Sequence, residues 1–430
     1  MPRVRKKSYN SVVEFNAESA GINEENLNLF FNMIYDRQMI WKRRFIDKAP
    51  APWTDNEIFK KYKFCNLYRE HDRSSQWEIR NIIMDNSLTD KNLLWKILVY
   101  RTFNNPETFA RALNKWPNGI PDYDKYDESE FTAHIKEIKD MGLNPFTNAY
   151  SISGNIVRGV TIDEAYCHTV IPTIHKSVDT IYTILKDAVD PEQIITYLMT
   201  LPGSSSFIAH EYYQDLTYVP IYSDRSLMNF GQNDYTNLGP GSSQGVRLIF
   251  PRLRGIEQLS SYYYLQDIAE EKLEEIGLEK GELMPYAAWN KETHKYEIIT
   301  ESNLSLNQIE GALCEFSKYI RILRNTGRPR CPEFEPRTST IIVEREENNQ
   351  QEFITDDDDF ISGRNHARRT KALDDFACPP SRRGRPKGSL NKKTLTCKDD
   401  TNLSVNLNLT LDLQNVEVLI NKVKELWDRQ

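Results

Sequence analysis

Residues 27–45 read LNLFFNMIYDRQMIWKRRF, and the fold turns on this stretch. Its large apolar side chains fall at Leu27, Phe30, Phe31, Ile34, Trp41 and Phe45, close to the spacing of a helix with one buried stripe. The pattern recurs downstream. Residues 75–85 and 89–104 predict two further helices, the second capped by Asp90, and Thr54 and Asp55 offer a cap ahead of Ile58, Phe59 and Tyr62. Residues 163–187, 192–199 and 306–323 are the other strong helical patterns. Strand signals are thin, confined to residues 296–300 and to an alternating run near the C-terminus. The predicted class is mainly α.

Composition divides the chain. At about 150 residues per domain, 430 residues allow two to three domains, or one large domain with tails. The reading favours the second: a basic polar leader (1–25), a helical domain (26–335), a linker (336–400) and a strand-plus-helix tail (401–430). The linker is poor in large apolar residues and cannot offset its ordering entropy by burial, so it is expected to be disordered. In the tail, Leu403, Val405, Leu407, Leu409, Leu411 and Leu413 alternate with polar residues, then Val416, Leu419, Ile420, Val423 and Leu426 follow helical spacing. No run of about 18 apolar residues exists, so no membrane partner is expected. The opening MPRVRKKSYN leads into no apolar stretch, which argues against a secretory leader. Six cysteines without a CxxC pair argue against a zinc site or a disulfide framework, and for a reducing compartment such as cytosol or nucleus. No metal is expected, and the sequence names no cofactor.

The net charge of -7 hides a segregation. Asp356–Asp359 precede Arg364, Arg368, Arg369 and Lys371, and the basic run culminates in Arg382-Arg383-Gly384-Arg385-Pro386-Lys387. Arg383, Gly384, Arg385 and Pro386 form the core of an AT-hook, an extended segment whose arginines enter the narrow, negative minor groove of A·T tracts. A generic basic patch or nuclear import signal is the plainer reading. AT-rich double-stranded DNA is the expected partner, and the nucleus or a virus-infected cell the expected location.

Within the helical domain, Leu201-Pro202-Gly203 between two helices is similar to the hairpin of helix-hairpin-helix proteins, including DNA glycosylases. There, backbone N–H groups face a phosphate. A plain helix–helix turn reads equally well. Asp215 follows as a carboxylate able to act as base or electrostatic stabiliser. Gly239, Gly241 and Gly245 read as a loop that exposes N–H groups to an anion. On the 306–323 helix, Glu315, Lys318 and Tyr319 share a face, with Arg321 continuing the charge; a solvated ion pair is the ordinary explanation.

Together these segments resemble one family. They are Asn66-x-Tyr68-Arg69-x-x-Asp72-Arg73-x-Ser75-Gln76 with Arg80 beyond it, Phe103-Asn104-Asn105-Pro106, Phe146 to Tyr150, His210 to Leu216, the Gly-Pro-Gly segment, and Cys314-Glu315-Phe316-x-Lys318-Tyr319. The chain resembles the helical domain of the 5-hydroxymethyluracil DNA kinases, shared with the alpha-glutamyl/putrescinyl thymine pyrophosphorylases, which are amino acid:DNA transferases. The resemblance implies hypermodification of thymine-derived bases: a phosphorylated hydroxymethyl group is displaced by an amino acid or amine, on a base taken out of the duplex. On the matching positions it implies Arg69, Arg73, Arg80 and Arg321 as phosphate or DNA ligands, with Gly203, Gly239, Gly241 and Gly245 beside them. Asp72 or Asp215 is the implied carboxylate, with Glu315 and Lys318 in support. No Walker A sequence is present, so a separate DNA kinase is the implied partner. A non-catalytic reader of modified bases and a glycosylase are the rival readings.

Overall fold

The computed structural model describes residues 13–150, 152, 156–223, 225–278, 286–290, 292–293, 295–299, 304–326, 340–343 and 351–354. The AT-hook, the acidic run and the strand-plus-helix tail lie outside the described residues.

The chain is mainly helical, and its helices gather around two apolar clusters. Helices α1 (Ala17–Ala20), α2 (Glu24–Trp41) and α3 (Glu57–Lys61) open the chain. They share a cluster with α12 (Pro240–Ile249), α13 (Gln258–Asp267), α14 (Ala269–Glu275) and α15 (Leu306–Leu323), through Leu27, Phe30, Phe31, Val246, Ile249 and Phe316. Between them in sequence run α4 (Arg73–Glu78), α5 (Asp90–Phe103), α6 (Pro106–Ala110), α7 (Glu128–Asp140), α8 (Ile162–Ala165), α9 (Ile171–Asp187), α10 (Pro191–Leu198) and α11 (Ser206–Tyr222). Trp77, Leu94, Leu98, Phe103, Ile174 and Leu216 are at the heart of their cluster. Two antiparallel pairs complete the described residues: β1 (Tyr286–Asn290) with β2 (Lys295–Ile299), and β3 (Thr340–Val343) with β4 (Gln351–Ile354).

The 27–45 stretch forms α2 and then a π-helical turn over Lys42–Ile46. Residues 13–23, counted with the polar leader on composition, pack on the body: Phe15 meets Phe250 edge-on at 5.1 Å, and Asn23 caps α2. Two caps differ from expectation. Asn56, not Thr54 or Asp55, accepts the N–H of Ile58, and Thr89, not Asp90, caps α5. The capping oxygen sits one or two residues away from the residues chosen on sequence, a shift that periodicity does not resolve.

The glycine-rich stretch is the larger correction. It is not a loop: Gly239 is the N-cap of α12, and Gly241 and Gly245 lie inside that helix. Pro240 takes the first helical position, where its missing N–H costs nothing. A Cβ on Gly241 would fall 2.5 Å from Cys314 Sγ, and one on Gly245 would collide with the Leu313 carbonyl. These glycines let α12 and α15 approach backbone to backbone.

The Leu-Pro-Gly turn joins α10 to α11, with Gly203 at φ +77 and Ser205 capping α11. Gly203 closes against Ile156 and Tyr166, which places it among packed side chains. Helices α5 and α11 are buried around nearly their whole circumference, as expected of helices central to a core. Both nevertheless carry buried charges: Lys96 and Arg101 on α5, and Glu211 and Asp215 on α11. Such charges persist in an apolar interior only when paired and hydrogen-bonded.

Candidate functional site

The buried charges of α5 and α11 answer one another. Arg101 forks onto both carboxylate oxygens of Asp215 and reaches Glu211 at 3.0 Å, with Glu78 of α4 at 3.9 Å. Three carboxylates thus surround one guanidinium. Burial, reinforced by the Asp215 charge, raises Glu78 well above the ordinary carboxylate range. Burial pushes Asp215 up as well, against the pull of Arg101.

A second charged group lies where the two apolar clusters meet. Arg69 stands on the short helical turn Arg69–His71 and pairs through Nε with Asp72 Oδ2 at 3.0 Å. Asp72 Oδ1 accepts from the backbone N–H and the side-chain amide of Asn66, at 3.0 and 3.1 Å. Arg37 of α2 fixes the same loop, donating to the carbonyls of Phe64 and Cys65 and to Asn66 Oδ1. Across from the loop runs α15. Its Glu315 takes a hydrogen bond from Lys318 at 2.5 Å and one from the Cys65 N–H at 3.4 Å. Burial works to raise Glu315, but Lys318 outweighs it and holds the group below the usual carboxylate range. Burial likewise opposes charge on Lys318, and Glu315 more than restores it.

Glu310 adds the group of greatest chemical interest. Positions 310, 314 and 318 follow one another at four-residue intervals down a single stripe of α15, and all three residues are half-buried. Burial raises Glu310 to about 7, opposed by a hydrogen bond from Ser242 and by the charge of Arg69. Glu70 is also raised to about 7 by burial. The two charged groups communicate: Glu211 acts on both Arg69 and Glu310, and His210 of α11 bonds Asn307 of α15 at 3.2 Å. Burial keeps His210 neutral.

The residues expected from sequence therefore divide. Arg69, Asp72, Glu315 and Lys318 come together, and Gly239, at the end of α12, lies close to Glu310. Asp215 is in the adjoining Arg101 network. Gly241 and Gly245 serve helix packing. Arg73 reaches Glu107 at 3.5 Å, exposed Arg80 bonds Gln76, and Arg321 bonds Gln244 at the surface. Gly203 belongs to the α10–α11 turn. Sequence reading passed over Glu310, Glu70, Glu211 and Arg101. Two signals were available: a charged residue inside the apolar 89–104 pattern, and the four-residue recurrence of 310, 314 and 318. Among the described residues no group of three or more His, Cys, Asp or Glu side chains is placed to hold a metal ion, and no helix is long and apolar enough to cross a membrane.

The family model described as "5-hmdU DNA kinase, helical domain" matches residues 24–328. The chain belongs to this family. Among curated proteins it is similar to the 5-hmdU DNA kinase of Bacillus phage SP10, with 26% identity over 304 residues, covering 68% of this chain and 44% of the relative. The chain thus spans less than half the length of that kinase. No solved structure matches. The matched region of the 5-hmdU DNA kinase helical domain contains every residue of the two charged networks.

Proposed function

We propose that the chain modifies 5-hydroxymethyluracil in DNA, as a transferase that joins the exocyclic carbon of the phosphorylated base to an amino acid or amine. One observation carries this reading. Two cations, Arg69 and Lys318, and a carboxylate poised near neutrality, Glu310, are all half-buried and electrostatically coupled, on the 63–73 loop and on α15.

The step needs these roles. The nitrogen lone pair of the incoming amine forms a C–N bond to the CH2 group at C5. The C–O bond to the phosphate breaks, and its electron pair leaves with the phosphate. Arg69 and Lys318 stabilise that leaving charge in a site partly shielded from water. Glu310, ionised near neutral pH, takes the proton lost by the attacking nitrogen. Asp72 orients Arg69, and Glu315 keeps Lys318 charged and in place. Glu211 links them electrostatically to the buried Arg101–Asp215 network. The phosphate ester comes from a kinase activity outside this sequence, which has no Walker A motif; the relative's printed name supports that assignment. The AT-hook residues Arg383 to Pro386 tether the chain to AT-rich DNA. The phage origin of the relative supports action in a virus-infected cell.

Incubation of the full chain with duplex DNA carrying phosphorylated 5-hydroxymethyluracil, together with pooled amino acids and polyamines, tests this directly. Digestion to nucleosides and mass spectrometry should show the phosphate replaced by the donor mass. Unchanged nucleosides with every donor would favour a reader, and an abasic site with free base would favour a glycosylase.

A further inference from the structure

Beside the Arg69–Asp72 pair lies a cavity of about 110 Å3 with an unusual lining. Trp41, Phe45, Trp53 and Tyr62 supply aromatic walls. Arg37, Arg44, Lys60 and Lys63 supply cations, against the single carboxylate of Asp72. Trp41 is backed by His71, stacked at 4.0 Å and 6°, and burial holds that imidazole neutral, with a pKa lowered to about 3. The Arg44 guanidinium lies over Trp53 at 4.7 Å and over Phe45 at 5.1 Å. Lys60 pairs with Glu57 at 2.8 Å, while Arg37 donates to neutral oxygens of the 64–66 loop.

We propose that this cavity receives the pyrimidine ring of the target nucleotide, extruded from DNA and stacked on the tryptophans, with its 5-substituent directed past Asp72 toward Arg69. The proposal deepens the transferase reading and rests on it for the identity of the base. Size favours a single ring. At about 110 Å3 it is below the roughly 150 Å3 of a cavity that encloses a benzene and far below the about 300 Å3 and more of sites for larger ligands, so at most one ring enters, with an edge left at the mouth. On the same measure a nucleoside triphosphate is too large to enter it whole. Charge favours a nucleic acid strand, because a flat aromatic surface flanked by cations is the common solution for an unstacked base and its phosphates. Continuity with the Arg69 group comes from Asn66 and Asp72. Both line the cavity, and Asp72 is also the partner of Arg69. Extrusion is required in any case, since an atom being rebuilt must leave the stack.

The experiment compares the binding of two duplexes by the full chain, identical except that one carries 5-hydroxymethyluracil and the other an abasic site at the same position. The wild type should prefer the base-bearing duplex by about ten-fold or more, the scale of base–aromatic stacking. Trp41→Ala with Trp53→Ala should erase that ratio while leaving affinity for the abasic duplex intact, which also reports that the variant folds. Trp41→Phe with Trp53→Phe should restore most of the ratio. If the alanine pair does not fold, Tyr62→Leu carries the same expectation. A ratio kept by the variants, or absent from the wild type, overturns the assignment, as does competition by ATP for the base-bearing duplex. The nucleoside assay separates the two readings. A ratio lost on mutation with nucleosides unchanged upholds the cavity and overturns transfer alone, and nucleosides changed with the ratio retained does the reverse.

Discussion

Glu310 shows how much one side chain's surroundings decide. A solvent-exposed glutamate is fully ionised at neutral pH and a weak base. Burial under the end of α12 lifts Glu310 to about 7, where protonation state and basicity are best balanced. With Glu310 as the base, the transfer rate should rise with pH through about 7. Glu310→Gln should lower kcat by about 10²- to 10⁴-fold, the usual yield of a positioned base, and flatten that rise while DNA affinity holds; single-turnover rates between pH 5.5 and 8.5 measure both. His71 makes the opposite case. Its folded-state pKa is depressed by burial from 6.5 to about 3, so only the unfolded chain takes up the proton as pH falls below 6.5. The native state must lose stability over that window. His71→Phe, which keeps a ring against Trp41 and does not titrate, should gain on the wild type as pH drops from 7 to 5. Urea midpoints at the two pH values would show it, and a gap independent of pH would refute it.

At the scale of elements, the α12–α15 pair holds the site together, and its glycines give a test of sign. Gly→Ala inside a helix ordinarily stabilises by about 0.5–1 kcal/mol. Gly311 on α15 has nothing within 4 Å of an added Cβ and should follow that rule, whereas Gly245→Ala drives a methyl into the Leu313 carbonyl. Overpacking of that kind costs about 1–3 kcal/mol. Thermal melts of the two variants should move in opposite directions, and two shifts of the same sign would contradict the packing. The same pair shows what sequence could reveal. Helix α15 was legible to its ends, 306 to 323, because its apolar stripe is continuous, and the Glu315–Lys318 contact followed from spacing alone. The glycine stretch was not, because glycine reads locally as loop. Only the closeness of a helix some seventy residues downstream explains why it is helical here. Arg101 was hidden for a related reason: its partners Glu211 and Asp215 stand on α11, more than a hundred residues away.

For the molecule as a whole, the net charge of -7 says little about DNA, because the cations that matter are local. The basic tail is expected to add affinity without taking part in chemistry. Arg383→Ala with Arg385→Ala should weaken binding to A·T tracts and reduce the salt slope by about two counterions' worth, leaving transfer to short oligonucleotides unchanged. Equal affinity at low salt would count against the tether. The account stands or falls on whether a target base meets the 63–73 loop and α15 together. Photocrosslinking answers this most directly. A duplex bearing one 5-iodouracil at the target position is irradiated with the full chain, and the adducts are mapped by peptide mass spectrometry. Adducts on peptides spanning Trp41, Trp53 or Tyr62 to Asp72, and on Glu310 to Lys318, are the predicted result. Adducts confined to α7, α9 or the exposed face around Arg80 would contradict it.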